Sequence, residues 1–478
     1  MTAPVQDLPL CVDLDGCLVR SDTLWESLAG LTRHRPLAIF LLVPSLLAGR
    51  ARFKERLASL HRPIASELPF HEDFLQWLRD EAARGRALWL CTGAHHSVAK
   101  GVADELGIFK GVIATESLNL TGAAKANALV ERFGNEGFDY AGNSSVDLQV
   151  WPHSRACILV GASIAVEEKA RALGKPVQVF HPKPSAFAQL GQFLRAMRLH
   201  QWAKNALLFV PLLAAHRLDD PDSWLALVAA FVAFGLAASA IYLVNDLLDL
   251  SSDRAHPRKR NRPLACGSLA LPQAMLGIPA LLIASGLIAA SLSFGFQVLL
   301  FVYLLLTLAY SFFLKRLALW DVATLAALYT LRVVAGAVVV AVSLSYWLLL
   351  FSVFLFFSLA LIKRVAELVL MESKGSERAH GRGYEVSDLH LLQGLGLASA
   401  VACVLVLALY LQSPMVSLLY LHPVLLAGLG PILLLWLVRL WLLTSRGQMH
   451  DDPLVFALTD RGSWMAGLLA MFVVFMAA

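Results

Sequence analysis

Asp246, Asp249 and Asp253 stand at i, i+3 and i+7 in the string Asn245-Asp246-Leu247-Leu248-Asp249-Leu250-Ser251-Ser252-Asp253-Arg254. On a helix that spacing puts the three carboxylates on one face. Stacked like charges at the end of a long apolar run repel one another and have little water to screen them, so the pattern asks for a cation. Mg²⁺ is the natural one, because a few carboxylates hold it while substrate phosphate oxygens complete its octahedron. The alternative is an acidic helix end solvated at an interface. Arg258, Lys259, Arg260 and Arg262 follow directly, between His256-Pro257 and Pro263. Guanidinium groups grip phosphate bidentately, so this loop suits an anionic ligand, and it also serves as an orienting cluster beside a membrane span.

A second grouping opens the chain. Leu10-Cys11-Val12-Asp13-Leu14-Asp15-Gly16 reads as an apolar strand that ends in two acids. Ala87-Leu88-Trp89-Leu90-Cys91-Thr92-Gly93 is a second strand ending in a hydroxyl. Further on come Gly122-Ala123-Ala124-Lys125 and Phe138-Asp139-Tyr140-Ala141-Gly142-Asn143-Ser144-Ser145-Val146-Asp147. Acids, a hydroxyl and a lysine at successive strand ends suit a site on the carboxyl edge of a parallel sheet.

The elements that must position these residues are of two kinds. The 478 residues are 58% hydrophobic with mean hydropathy +0.63, too apolar for a soluble enzyme throughout. Residues 1–190 mix charged and apolar positions, whereas long uncharged runs dominate from Trp202 onward. Nine spans are expected, near 203–217, 223–248, 272–293, 295–313, 321–342, 346–369, 393–413, 418–443 and 455–477. With that number, Arg254 to Arg262, Lys315 with Arg316, Lys363 to Arg382 (Lys374 and Arg378 included) and Arg446 with Arg461 all fall on one side. By the positive-inside rule that side is cytoplasmic. Met1–Leu10 has no signal-peptide character, which keeps the N-terminal domain on the same side. The six cysteines show no paired spacing, as in a reducing compartment, and the net charge of +5 gives no reason to expect nucleic acid.

Over residues 190–478 the chain resembles the UbiA superfamily of intramembrane transferases. Asn245, Asp246, Asp249, Asp253 and Arg254 match the family's first motif, and Tyr310-Ser311 through Lys315, Asp321 and Arg332 look like its second region. The resemblance implies a Mg²⁺-dependent transferase acting on a diphosphate, with Asp246 and Asp249 catalytic and Asp253 a third metal ligand. One branch moves a prenyl group to an aromatic acceptor. The other moves 5-phosphoribose from phosphoribosyl diphosphate to a polyprenyl phosphate. Trp202-Ala203-Lys204-Asn205, the His256–Pro263 string, Lys363-Arg364-x-x-Glu367-Leu368 and Asp452-Pro453 look more like the second branch. Its extra phosphates need extra cations, here Lys204, Arg258, Lys259, Arg260, Arg262, Lys315, Arg332, Lys363 and Arg364. Arg332 shares a helix face with Asp321, so the two either form a structural pair or leave the arginine for substrate. Tyr384 and Asp388 are candidates to cover the cleft. A transporter or lipid-binding scaffold is the competitor from another class.

Residues 1–185 resemble the haloacid dehalogenase superfamily. That resemblance implies Asp13 as nucleophile, Asp15 as general acid/base, Thr92 and Lys125 on phosphate, and Asp13, Asp15, Asn143 and Asp147 around Mg²⁺. Asn143 stands where the wider family commonly has Asp, which adds an oxygen but no charge. Leu31–Pro63 reads as a small cap whose apolar Pro36–Leu47 stretch, flanked by Arg33, Arg35, Arg50 and Arg52, is too short to span and either lies on an anionic leaflet or packs inside the cap. The expected fold is thus an α/β Rossmann-like haloacid dehalogenase fold with a small helical cap, then an all-α polytopic membrane bundle of about nine transmembrane helices. The expected partners are a polyprenyl lipid, a diphosphate substrate and a bacterial-type inner membrane, with self-association left open.

Overall fold

The computed structural model describes residues 8–116, 118–373, 383–413, 416, 419–449 and 452–478. Lys374, Arg378 and Arg382 lie outside the described residues. Two compact units emerge, one of residues 1–197 with 242–279, the other of 198–241 with 280–478.

In the first unit six strands, β1 (Leu10–Val12), β2 (Leu88–His95), β3 (Gly111–Thr115), β4 (Asp139–Gly142), β5 (Cys157–Val160) and β6 (Val177–Phe180), form one parallel sheet in the order β3-β2-β1-β4-β5-β6. Parallel sheets are covered on both faces, which is why these strands are nearly continuous apolar runs. Alternation assigns Leu10 and Val12 to one core with Phe74, Leu78 and Leu90, and Cys11 to the other with Tyr140, Trp151 and Leu159. Strand order reverses at β1, between β2 and β4, so a crevice opens beyond its carboxyl end. The cap follows β1 as Thr23–His34, Pro36–Leu42, Val43–Leu47 and Arg50–Leu60, closed around Leu31, Leu42 and Leu57. All six cysteines are free, five of them buried.

The remainder is helical and apolar. Among the described residues seven helices are long and apolar enough to cross a membrane, or eight if the bent pair Pro453–Thr459 and Arg461–Ala477 counts as one span. Helix Pro221–Leu248 runs through both units. Leu276, Phe301 and Phe472, on three of the others, are more than half exposed, as lipid-facing side chains are.

Two expected spans differ. The first, 203–217, is not a long α-helix: Leu199–Phe209 winds as a 3₁₀ helix and continues into Val210–Ala214. The tighter winding rises about 2 Å per residue, so these sixteen positions still reach roughly 30 Å, the thickness of the hydrocarbon core. The last expected span is broken, with an 83° bend at Asp460. Asp460 takes an extended backbone, caps the second helix through Ser463 N, and pairs with Arg439, so the charge inside the apolar run is what ends the first piece.

Candidate active sites

In the first unit the strand-end residues converge. Asp13 leaves β1 with its carboxylate 3.0 Å from Lys125 Nζ and accepts the Leu14 amide at 2.9 Å. Lys125, in the first turn of Ala123–Phe133, also donates to Tyr140 Oη at 2.8 Å, and Tyr140 donates to Asp147 Oδ1 at 2.8 Å. Burial pushes the Asp13 carboxyl up to about 6 despite the opposing lysine. Burial, reinforced by Asp22, pushes Asp15 up to about 7. Asp15 accepts the Thr23 amide at 2.7 Å, which ties it to the first cap helix. Thr92 is fully buried within β2, where the strand's register begins to shift, and accepts from Ala94 N. Gly16 is needed for two reasons: its φ is +71°, and a Cβ there would sit 2.0 Å from Asn143 Nδ2.

Asp147 is buried with both oxygens engaged. Oδ1 faces Tyr140 and Lys125; Oδ2 accepts from Asn143 N, Ser144 N and Ser144 Oγ. Its position is that of a group orienting the lysine. Asp13 and Asn143 remain as hard oxygen donors that fit Mg²⁺, which keeps several waters and uses one or two carboxylates, whereas Asp15 with its raised carboxyl and its bond to the Thr23 amide suits an acid better than a ligand. Lys54, from the cap helix Arg50–Leu60, reaches Gly93 O at 2.6 Å and Asn119 Oδ1 at 2.8 Å. It closes a small cavity of about 80 Å³ with Asp15, Asp22, Thr23 and His95. No spacing in the sequence ties position 54 to Asp15; only the folded cap brings them together.

The same unit holds the acidic motif. The α-helical hydrogen bonds continue through Asp249 (Asp249 N to Asn245 O, Asp253 N to Asp249 O, both 2.8 Å), so the expected common face persists across a local break in helix geometry. One guanidinium nitrogen of Arg262 reaches both Asp246 Oδ1 at 3.2 Å and Asp253 Oδ2 at 2.5 Å. Asp246 and Asp253 are both 2% exposed, so this cation supplies part of the compensation their spacing required. Asn245 Oδ1 is buried without a hydrogen-bond partner among the described residues. Among the described residues no three His, Cys, Asp or Glu side chains cluster as a metal cage. Two buried carboxylates beside an orphaned amide oxygen nevertheless fit an ion that shares its shell with phosphate. Arg254 is committed elsewhere: it makes a bidentate pair with Glu26 of helix Thr23–His34, at 2.7 and 3.1 Å, and donates to Ala265 O. Arg258, Lys259 and Arg260 are exposed around the turn Lys259–Asn261.

Within the second unit, three cations lie near one acid. Lys204 on the 3₁₀ helix and Lys363 on Tyr346–Glu372 both contact Asp452 Oδ2, at 2.7 and 3.3 Å, and Tyr329 Oη donates to the same carboxylate. Arg332, 5% exposed, lies 4.9 Å from the Tyr303 ring centre and 5.8 Å from that of Tyr329. It donates to Asn205 Oδ1, Leu328 O and Tyr303 Oη and has no ion pair among the described residues. Asp321 does not take it. Arg364, 1% exposed, pairs with Asp321 and with Glu367 and donates to Tyr310 Oη, while Tyr384 Oη donates to Asp321. Arg364 is therefore part of a closed structural clamp. Tyr384 latches its loop onto the Leu319 amide, and Asp388 is spent in a capping box with Glu385. Lys315 is half-buried on the turn Leu314–Arg316. Asp452, Tyr329 and Tyr303 were not singled out as site residues; two lysines flanking one carboxylate cannot be read from positions so far apart.

Residues 206–476 match the model of the UbiA prenyltransferase family, and residues 10–151 that of haloacid dehalogenase-like hydrolases. A protein of Sinorhizobium fredii, y4nM, is 41% identical over 97% of this chain and 89% of its own length. Nodulation protein NoeC of Azorhizobium caulinodans is 33% identical over 59% of this chain and 92% of its own. The decaprenyl-phosphate phosphoribosyltransferase of Mycolicibacterium smegmatis is 37% identical over 44% of this chain and 68% of its own.

Proposed function

Because this chain belongs to the UbiA prenyltransferase family, we propose that its family-matching region, residues 206–476, transfers 5-phosphoribose from phosphoribosyl diphosphate to a polyprenyl phosphate, and that its haloacid dehalogenase-like N-terminal region, residues 10–151, then removes the 5-phosphate. The observation that supports this reading is a local cluster of cations inside the second unit. Arg332 is buried with no ion pair among the described residues, and Lys204 and Lys363 share the carboxylate of Asp452. An uncompensated cation in an apolar bundle is costly unless an anion arrives. The similarity to a phosphoribosyltransferase supports the choice of branch. Transfer to an aromatic acceptor that carries no phosphate, the other branch, leaves those cations without a second phosphate to hold.

In the reaction the bond from ribose C1 to the diphosphate oxygen breaks, an oxygen of the lipid phosphate bonds to C1, and diphosphate leaves. Mg²⁺, when bound, neutralises the departing charge. Asp246 and Asn245 would hold it, with Asp249 and Asp253 on the same face. Arg262 holds the carboxylates in register until substrate enters, and Lys204, Lys363 and Arg332 hold phosphate oxygens in a water-poor setting, where such contacts are strong. In the N-terminal unit Asp13 attacks the 5-phosphorus and Asp15, protonated, gives its proton to the leaving ribose oxygen. Lys125 and Thr92 balance charge on the phosphoryl oxygens. Water then releases phosphate from Asp13, with Asp15 as base.

The test is a product assay in detergent with Mg²⁺. It offers labelled phosphoribosyl diphosphate with polyprenyl phosphate, and in parallel prenyl diphosphate with labelled 4-hydroxybenzoate. Label entering lipid only in the first reaction is expected; label only in the prenylated aromatic overturns the reading.

A further inference from the structure

The cap carries an anomaly that catalysis does not use. In the segment Pro36–Leu47 side chains face two ways. Leu42 is 3% exposed and packs with Leu31 and Leu57, with Ala38 and Ile39 against them. Leu37, Phe40, Leu41, Val43, Leu46 and Leu47 face outward, Leu37 at 78%, Phe40 at 71% and Leu47 at 91% exposure. Six large apolar side chains in eleven consecutive positions are not scattered surface residues; a contiguous patch of this kind marks a contact surface. The charges around it select the partner. Arg33, Arg35, Arg50 and Arg52 are all exposed on its two flanks, and no acidic residue occurs between Glu26 and Glu55. An apolar strip rimmed only by arginines fits the boundary of an anionic bilayer, where apolar burial and attraction to headgroups add. At about 2 Å per residue for the 3₁₀ part and 1.5 Å for the α-helical part, the segment is roughly 20 Å long, too short to cross the hydrocarbon core. A bilayer is the partner always at hand, since the same chain spans one.

We propose that Pro36–Leu47 is a membrane-surface anchor: the cap inserts this strip into the headgroup region of an anionic leaflet and so presents the Asp13–Asp15 site to phosphate esters borne on lipid. The link to the site is covalent and short. Helix Arg50–Leu60 follows the strip directly, and its Lys54 and Leu57 wall the cavity over Asp15. A water-soluble substrate would need no such attachment. The anchor itself stands on the cap alone, whereas its use for a lipid-borne monoester rests on the function proposed above.

The test uses the full chain with Cys266 replaced by serine, the other five cysteines being buried. Phe40→Cys and Leu47→Cys carry an environment-sensitive dye, and Lys169→Cys on the exposed face of helix Ile164–Arg171 is the control. Both anchor positions are exposed, so neither change disturbs the core. The proteins are reconstituted into phosphatidylcholine vesicles containing phosphatidylglycerol, with or without lipid brominated near the headgroup. Blue-shifted emission at positions 40 and 47, quenched by the brominated lipid, with a water-like and unquenched control, is the expected result. Emission at both positions matching the control overturns the anchor. So does a blue shift that brominated lipid fails to quench, because the strip is then covered by protein. The spectroscopic readout is independent of turnover, so an anchored cap on an enzyme that moves no phosphoribose would fail the function and leave the anchor standing.

Discussion

Arg332 and Arg364 are both buried arginines in apolar helices, and their surroundings assign them opposite roles. Arg364 is held by Asp321, Glu367 and Tyr310; Arg332 has only neutral hydrogen-bond partners and aromatic faces. Removing a buried charge from a satisfied pair strands its partners, at about 3–5 kcal/mol. Arg364→Met should therefore lower the thermal midpoint in detergent sharply, with activity lost in proportion to folded protein. Arg332→Met removes a charge that has no ion pair among the described residues. It should leave the midpoint unchanged or raise it, while transferase turnover falls about a hundredfold, equivalent to about 3 kcal/mol. A parallel loss of stability and activity in Arg332→Met would make it structural. In the proposed phosphatase step Asp15 must be protonated to release the ribose oxygen, and its carboxyl is pushed up to about 7 by burial and Asp22. Above that pH the acid form is lost, so phosphatase turnover should fall about tenfold per unit on the alkaline side, with the break near 7 in a pH–rate profile. A rate that stays flat through pH 8 would remove Asp15 from that role.

Between elements, one contact organises the first unit: Glu26 and Arg254, 228 positions apart, form a buried bidentate pair joining helix Thr23–His34 to the segment after Asp253. Glu26→Gln or Arg254→Met alone should strand a buried charge and destabilise the unit. Glu26→Leu with Arg254→Met should recover most of the loss, since a buried pair exchanged for apolar groups is near neutral. Limited proteolysis of the N-terminal unit would read both, and a double variant no better than the singles would show that the pair matters for more than charge balance. This contact also shows where sequence reading stops. Strands β1 and β2 were legible together with Asp13 after β1, Thr92 within β2 and Lys125 at the start of a helix, because each belongs to a short local string of residues. The helix face of Asp246 and Asp253 was legible because i, i+7 spacing is local too. Arg254 next to that face reads equally well as a phosphate ligand, and only the partner from far along the chain removes it. The expected first span, 203–217, is not among the helices long enough to cross a membrane: hydropathy reports an apolar stretch and not its winding, so the 3₁₀ geometry of Leu199–Phe209 was not visible. The bend at Asp460 was hidden for the same reason: one acid barely lowers a window average, yet locally it caps a helix.

At the scale of the whole molecule the two proposed activities are complementary. A transferase that hands phosphoribose to a lipid phosphate produces a lipid carrying a 5-phosphomonoester, and an Asp-x-Asp phosphatase site consumes phosphomonoesters. If one chain performs both steps, inactivating each site should leave a different residue of the sequence of reactions. Asp13→Asn removes the nucleophile but leaves the acidic face Asp246–Asp253 intact, so label from phosphoribosyl diphosphate should still enter lipid and the product should keep its 5-phosphate. Asp246→Asn should abolish entry of label altogether. Thin-layer separation of the lipid products before and after treatment with an unrelated phosphatase distinguishes the two. Reconstituting both variants in one vesicle population asks whether the intermediate leaves the protein. Recovery of the dephosphorylated lipid at near the rate of unaltered protein means that the intermediate diffuses in the bilayer and any N-terminal unit can capture it, the outcome favoured by a cap that reaches for the lipid surface. Accumulation of the phosphorylated lipid in the mixture means that each chain processes only what it makes. Dephosphorylated product from Asp13→Asn alone would show that the N-terminal unit is not the phosphatase for this lipid.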